Sequence, residues 1–177
     1  MDGNNIIGFH GSADANLRVL GAYFTSITPA RMEAKGDKGG REWDDGGVYE
    51  AVTKIHGRSD HNGIKDITFD YVDKDRIPKM KPMVLPRFEI NHLDKEYLLS
   101  IDGYYDETSS VIQALQFNTN MKPWALMGYY EDDVVKFTIG CNGNKIIGFH
   151  FHGYAEKNLN SLGAYFTILP RYLNWNT

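Results

Sequence analysis

Short runs of alternating apolar and polar residues recur along most of this chain, at the period of half-buried strands. Ile64 to Tyr71 sets Ile67, Phe69 and Tyr71 on one face, with Lys65 out of phase at its edge. Val111 to Phe117 places Val111, Leu115 and Phe117 inward. Val135, Phe137 and Ile139 form a further inward set, and Ile147, Phe149 and Phe151 another. Phe88 and Ile90 mark a shorter strand, and one that starts at Leu98 continues to Tyr104. Asp45-Gly46-Gly47, Asn62-Gly63, Asp102-Gly103, Asn118 to Asn120 and Asn142-Gly143 supply turn residues between the runs. The spacing predicts an antiparallel all-β fold. From Asp73 to Arg87, Pro78, Pro82 and Pro86 remove backbone donors and predict an extended connection.

One stretch occurs twice. Gly3-Asn4-Asn5-Ile6-Ile7-Gly8-Phe9-His10 returns as Gly143-Asn144-Lys145-Ile146-Ile147-Gly148-Phe149-His150, and both copies run into Leu-Gly-Ala-Tyr-Phe-Thr, at Leu20 to Thr25 and Leu162 to Thr167. With a two-residue gap at Phe151 and His152, 17 of the 23 positions from Gly3 to Thr25 are identical. Such a match between two ends suits a window cut from a tandem array. Residues 1–30 then read as the last hairpin and linker of a preceding unit, and residues 31–177 as one complete domain. A hairpin duplicated within one domain is the alternative.

Composition narrows the function classes. Of 177 residues 42% are hydrophobic and 24% charged, with a formal net charge of -4, which describes a globular chain with a sizeable core. No Lys/Arg block builds a stripe for phosphate, so nucleic acid is not an expected partner. Nor is a membrane, since no apolar run is long enough to cross one. The lone Cys141 excludes an intrachain disulfide framework. No secretory signal is recognisable at the N-terminus, so a cytoplasmic location is expected.

Gly39-Gly40-Arg41-Glu42-Trp43-Asp44-Asp45-Gly46 resembles the opening of a jacalin-related lectin domain. Ile64 to Tyr71, Glu96 to Gly103, Val111 to Asn120 and Lys145 to Pro170 follow in the family's order. Phe88-Glu89-Ile90-Asn91-His92 and the Gly-Ala-Tyr-Phe ending look most like the multi-unit myrosinase-binding branch of crucifer plants. The resemblance implies a β-prism I, three four-stranded antiparallel sheets with pseudo-threefold symmetry. It also implies sugar recognition by loops at one end, without catalysis or cofactor. Implied partners are mannose-type glycans or glycoproteins, including a β-glucosidase, with homo-oligomer or tandem-unit contacts. In the alternative, the chain is a scaffold for such a glucosidase with little affinity for simple sugars.

Three loops carry the candidate site. Gly39 and Gly40 let backbone approach a partner and present N–H donors. The family's Gly-x-x-x-Asp sugar motif falls on Glu156-Lys157-Asn158-Leu159-Asn160, so both ends of the motif have changed. In the N-terminal copy Asp14 and Arg18 stand at those ends. Losing a charged hydrogen-bond partner costs about 1.5–3 kcal/mol, large against the roughly 4 kcal/mol of a millimolar lectin. An Asn160→Asp change is therefore expected to strengthen simple-sugar binding. Tyr104 and Tyr105, in the loop Asp102 to Glu107, supply rings for apolar sugar faces, one of them facing the ligand.

Other pairs read as structural. Asp44 and Asp45 before a glycine suit a turn anchor better than a glycosidase pair. His150 and His152 share a strand face, but no further ligand completes a metal site. Ser109 and Ser110 lack a nucleophile-elbow context. Trp43 and Trp124 suit core or sheet-edge packing.

Overall fold

The computed structural model describes residues 4–14, 16–26, 29–72, 87–140, 143–154 and 157–167, without the side chains of 4–7 and 23–26. The three prolines of the 73–87 connection, Cys141 and Glu156 lie outside the described residues. Thirteen strands are described, with one 3₁₀ turn at His92–Asp94. They are β1 (Asn4–Ala13), β2 (Leu17–Ser26), β3 (Ala30–Gly36), β4 (Arg41–Asp44), β5 (Ala51–Asp60), β6 (Gly63–Val72) and β7 (Phe88–Glu89). Then come β8 (Leu98–Asp106), β9 (Val111–Thr119), β10 (Met127–Gly128), β11 (Val135–Gly140), β12 (Ile146–Tyr154) and β13 (Asn158–Phe166).

Three sheets form the body, with strand orders β3-β13-β12-β4, β6-β5-β7 and β10-β9-β8-β11. The expectation of three four-stranded sheets needs correcting. One body sheet has three described strands, and β1-β2 makes a fourth, two-stranded sheet. The physical reason for the fourth is that the place between β3 and β4 is already filled by β12-β13, so the first copy of the repeat pairs with itself.

The inner faces meet in one core. Phe69 and Phe149 stack across two sheets with centroids 3.8 Å apart, and Phe88 meets Phe117 at 5.8 Å. Ile55, Ile64, Leu98, Ile101, Ile112, Leu115, Ile139, Ile146 and Leu162 are fully buried around them. Each such side chain stabilises the fold by about 1.5–3 kcal/mol relative to exposure. Val135 departs from its expected inward position and is exposed at the first residue of β11, whereas Ile139 on the same strand is fully buried.

Three bulges explain why simple alternation missed Ile64 and Ile112. In the β5-β6 hairpin Ser59 pairs with Ile64 and Arg58 with Asp66, leaving Lys65 unpaired. In β8-β9 Tyr105 pairs with Ile112 and Tyr104 with Ala114, leaving Gln113. In β12-β13 Gly153 pairs with Leu159 and His152 with Ser161, leaving Asn160. A bulge adds one residue to one strand and switches the phase of the residues beyond it. Lys65, Gln113 and Asn160 thus occupy equivalent places, one in each sheet, next to the hairpin tip.

The repeated hairpins share their register. Phe9 pairs with Ala22 and Gly11 with Leu20, as Phe149 pairs with Ala164 and Phe151 with Leu162. Both carry irregularities at the same two steps, Ile6/Gly8 with Ile146/Gly148 and Ser12/Ala13 with His152/Gly153. Phe151 and His152 are therefore ordinary strand residues, matched in the first copy by Gly11 and Ser12. The two additional residues belong to the tip, where 154–158 replaces 14–16.

Candidate functional site

The hairpin tips of the three sheets gather at one end with the β3-β4 connection, and the bulge residues join them. Asn160 on β13 donates its side-chain amide to the carbonyl of Ser110 in the β8-β9 tip. Lys65 on β6 donates to Asn158 Oδ1 in the β12-β13 tip at 3.2 Å. Gln113 on β9 lies against Gly63 of the β5-β6 tip, where an added Cβ would come within 2.8 Å of the Ile112 carbonyl and 3.4 Å of Gln113 Cα. Each sheet's bulge thus meets the tip of another sheet, in a closed cycle of three.

The connection between β3 and β4 completes this end. The Asp37 N–H donates to the Asn160 carbonyl at 3.0 Å, and Asp37 Oδ1 accepts from the Lys38 N–H at 2.7 Å. Gly40 has φ +84°, and a Cβ there would collide with the Gly153 backbone. A non-glycine residue would suffer both the clash and the left-handed conformation. Gly39 differs, since its nearest neighbours to a Cβ are the Asn160 amide and the Asp37 carboxylate, both 3.7 Å away. Gly40 is required by the fold, whereas a Cβ at Gly39 would make only ordinary contacts.

Two hollows flank the β12-β13 tip. One of about 370 Å³ is lined by Arg58, Asp60, Lys65, Lys157 and Asn158. The Lys65 ammonium bridges Asn158 and the Asp60 carboxylate, 3.3 Å away. The Asn62 N–H, donating to Asp60 at 2.8 Å, holds that carboxyl below the ordinary carboxylate range. The second, about 250 Å³ and more apolar, is walled by Trp43, Ile67, Phe151, Tyr154 and Leu159. Trp43 is half exposed at the sheet edge, stacks on Phe151 at 6.4 Å and receives the Arg41 guanidinium at 4.9 Å from its ring.

The predicted residues fare differently. Gly39, Gly40 and Asn160 are brought together, and Lys157 and Asn158 form the adjoining tip. Leu159 is almost wholly buried. Asn160 is only 5% exposed and its amide is engaged within the fold. Tyr105 packs on the core, while Tyr104 stacks on Tyr130 at 3.7 Å. Neither tyrosine lines the two hollows. Arg58, Asp60 and Lys65 are not site candidates in the sequence, where the one signal is that Lys65 stands out of phase at the edge of its run.

The tempting pairs are absorbed by structure. Asp44 accepts from the Gly46 N–H at 2.8 Å and from the Tyr165 hydroxyl at 2.7 Å. Asp45 accepts from the Tyr71 hydroxyl at 2.6 Å. His150 is buried with Nε2 2.8 Å from the Met32 carbonyl and Nδ1 3.2 Å from the Arg31 guanidinium. A carbonyl needs a donor and a guanidinium an acceptor, so the ring is the neutral Nε2–H tautomer. Burial first, and Arg31 further, pull its pKa below the ordinary 6.5 against the raising effect of Met32. His152 engages the Ser161 hydroxyl at 3.1 Å instead. Ser109 donates to Asp106 at 2.6 Å and lowers that carboxyl's pKa.

The family model of the jacalin-like lectin domain matches residues 32–165. The chain belongs to that family. This jacalin-like domain is 74% identical over 178 residues to jacalin-related lectin 13 of Arabidopsis thaliana, covering 96% of the chain and 36% of the relative. Its identity to jacalin-related lectin 12 of the same plant is 56%, over 94% of the chain and 38% of the relative. The chain therefore spans little more than a third of these relatives' length. Among solved structures, Malaysian banana lectin aligns with a TM-score of 0.65 at 22% identity, over 80% of this chain and all of that one. A mannose-specific lectin from Morus nigra, in complex with mannose, aligns at 0.62 and 21% identity, over 79% and 95%. These likenesses establish the fold, a β-prism.

Proposed function

We propose that this domain is a non-catalytic carbohydrate-binding module that takes mannose-type glycans at the end where the tips converge. The observation that carries the reading is the β12-β13 hairpin, which brings Asn160 beside Gly39 and whose tip lines the polar hollow of Arg58, Asp60, Lys65, Lys157 and Asn158. Backbone N–H groups beside Gly39 suit sugar hydroxyls. The charged and amide groups of the hollow accept and donate to further hydroxyls, and charge-assisted bonds are the stronger ones. Trp43 and Phe151, at the neighbouring apolar hollow, suit the hydrophobic face of a second sugar ring. Mannose is the first probe because the Morus nigra structural neighbour is named for it. The test is titration calorimetry with mannose and with branched mannosides. Gly39→Leu should abolish binding in a protein that still unfolds cooperatively, and undiminished binding in that folded variant would reject this site.

A second reading is supported by Asn160. Its side-chain N–H donates to Ser110 and its Oδ1 is buried, so the group at the family's aspartate position is not offered to a sugar. A protein-interaction scaffold, for a glycoprotein β-glucosidase of the myrosinase type, needs no such group. Binding to a deglycosylated glucosidase, with no response on a glycan array, would favour the scaffold. On either reading we take residues 1–30 as a hairpin and linker that resemble the end of a preceding unit, and 31–177 as the domain.

A further inference from the structure

The hairpin β1-β2 exposes side chains that its duplicate buries. Phe9, Leu17, Val19 and Leu20 are 65%, 65%, 55% and 64% exposed. By the shared register their counterparts are Phe149, Leu159, Ser161 and Leu162, which are 0%, 3%, 0% and 0% exposed. Surface of that kind on a two-stranded hairpin calls for a covering partner, because an isolated hairpin is marginal in water. The molecule itself displays what covers this sequence, since β12-β13 lies between β3 and β4 over the core.

We propose that β1-β2 is a second closing hairpin for that same slot, able to replace β12-β13 within one chain. The connection permits it. Phe166 pairs with Ala30 at the start of β3, and Phe24 is its counterpart in the first copy. Only residues 25–29 separate Phe24 from Ala30, and five residues suffice for a hairpin loop. Leu20 would then stand opposite Lys35, and Ala22 opposite Met32, as Leu162 and Ala164 do now. On the other edge His10 and Ser12 would face Asp44 and Glu42, as His150 and His152 do. A finer detail agrees: a Cβ at Gly21 would collide with the His10 ring, just as one at Gly163 would collide with His150.

The two hairpins differ where the proposed ligand end lies. The first has a tip two residues shorter, Arg18 at the bulge instead of Asn160, and Ala13 instead of Gly153. Choosing the hairpin therefore chooses the ligand loop, a consequence that rests on the glycan reading, whereas the exchange itself does not.

The test uses the full chain and reads folding, so it stands apart from any sugar. Leu162→Asp puts a charge at the buried centre of β13, Leu20→Asp at the matching place of β2, and a third variant combines them. Monomer mass by light scattering, cooperative unfolding and amide exchange at Phe9 to Leu20 are followed. The expected result is a folded, monomeric L162D, with exchange at Phe9 to Leu20 slowed at least tenfold, and an unfolded double variant. An L162D protein as unfolded as the double variant overturns the proposal. So does a double variant that folds as well as L162D, since the first hairpin then contributes nothing. An L162D protein that folds only as a dimer overturns the intrachain route.

Discussion

The sharpest prediction concerns Asn160→Asp. The sequence alone favours this change, because it restores the carboxylate of the family's sugar motif. The structure gives it the opposite sign for stability. Asn160 is 5% exposed and donates to the Ser110 carbonyl, so a carboxylate there sets two acceptors against each other. The lost bond costs about 1 kcal/mol, and the orphaned carbonyl with the desolvated charge brings the total to about 2–3 kcal/mol. At roughly 3 °C per kcal/mol for a domain of this size, the melting temperature falls by about 6–9 °C at pH 7. The sign with pH follows from linkage. Burial raises the new carboxyl's pKa in the folded state above about 3.9 in the unfolded chain. The folded state then holds the extra proton, so stability falls as pH rises above about 4. Below that range the protonated group donates to Ser110 and the loss shrinks. Thermal unfolding by circular dichroism at pH 4 and pH 7, parent against variant, measures both. Parental stability at pH 7, together with tighter mannose binding, would refute the reasoning.

Three further outcomes follow from the same contacts. Gly40→Ala should cost about 2 kcal/mol or more by urea unfolding, since it combines a left-handed φ with a backbone collision, whereas Gly39→Ala should stay within about 0.5 kcal/mol. Phe149→Ala should lose about 3–5 kcal/mol of stability, while Phe9→Ala, its exposed counterpart, should change stability by less than about 0.5 kcal/mol. His150 binds a proton less readily folded than unfolded, so stability should be full above the ordinary pKa of 6.5 and decline as pH falls below it. His150→Gln should flatten that slope in urea titrations between pH 5 and 7.5.

Strand content was legible because Ile67 to Tyr71 and Leu115 to Phe117 alternate apolar with polar residues away from the bulges. Ile64 and Ile112 were not, since a bulge shifts them by one residue out of phase with the rest of their strands. Gly39, Gly40 and Asn160 were found through resemblance. The charged hollow was not, because Arg58, Asp60 and Lys65 come from another sheet and meet Lys157 only through the folded end. The gap in the repeat was misplaced for a related reason: Gly11 matches Gly153 in letters, but pairs in the ladder as Phe151 does.

The cycle of bulges bears on how the surface of this end can change. Lys65, Gln113 and Asn160 each stand outside the regular pairing of their sheet, so the ladder places no demand on which side chain sits there. What constrains them is one joint to a neighbouring tip, and a cation, two amides and, in the duplicate, Arg18 have all been installed at this place. Substitution can therefore revise the surface of this end one sheet at a time, at positions where a change of residue need not shift the register of a single strand.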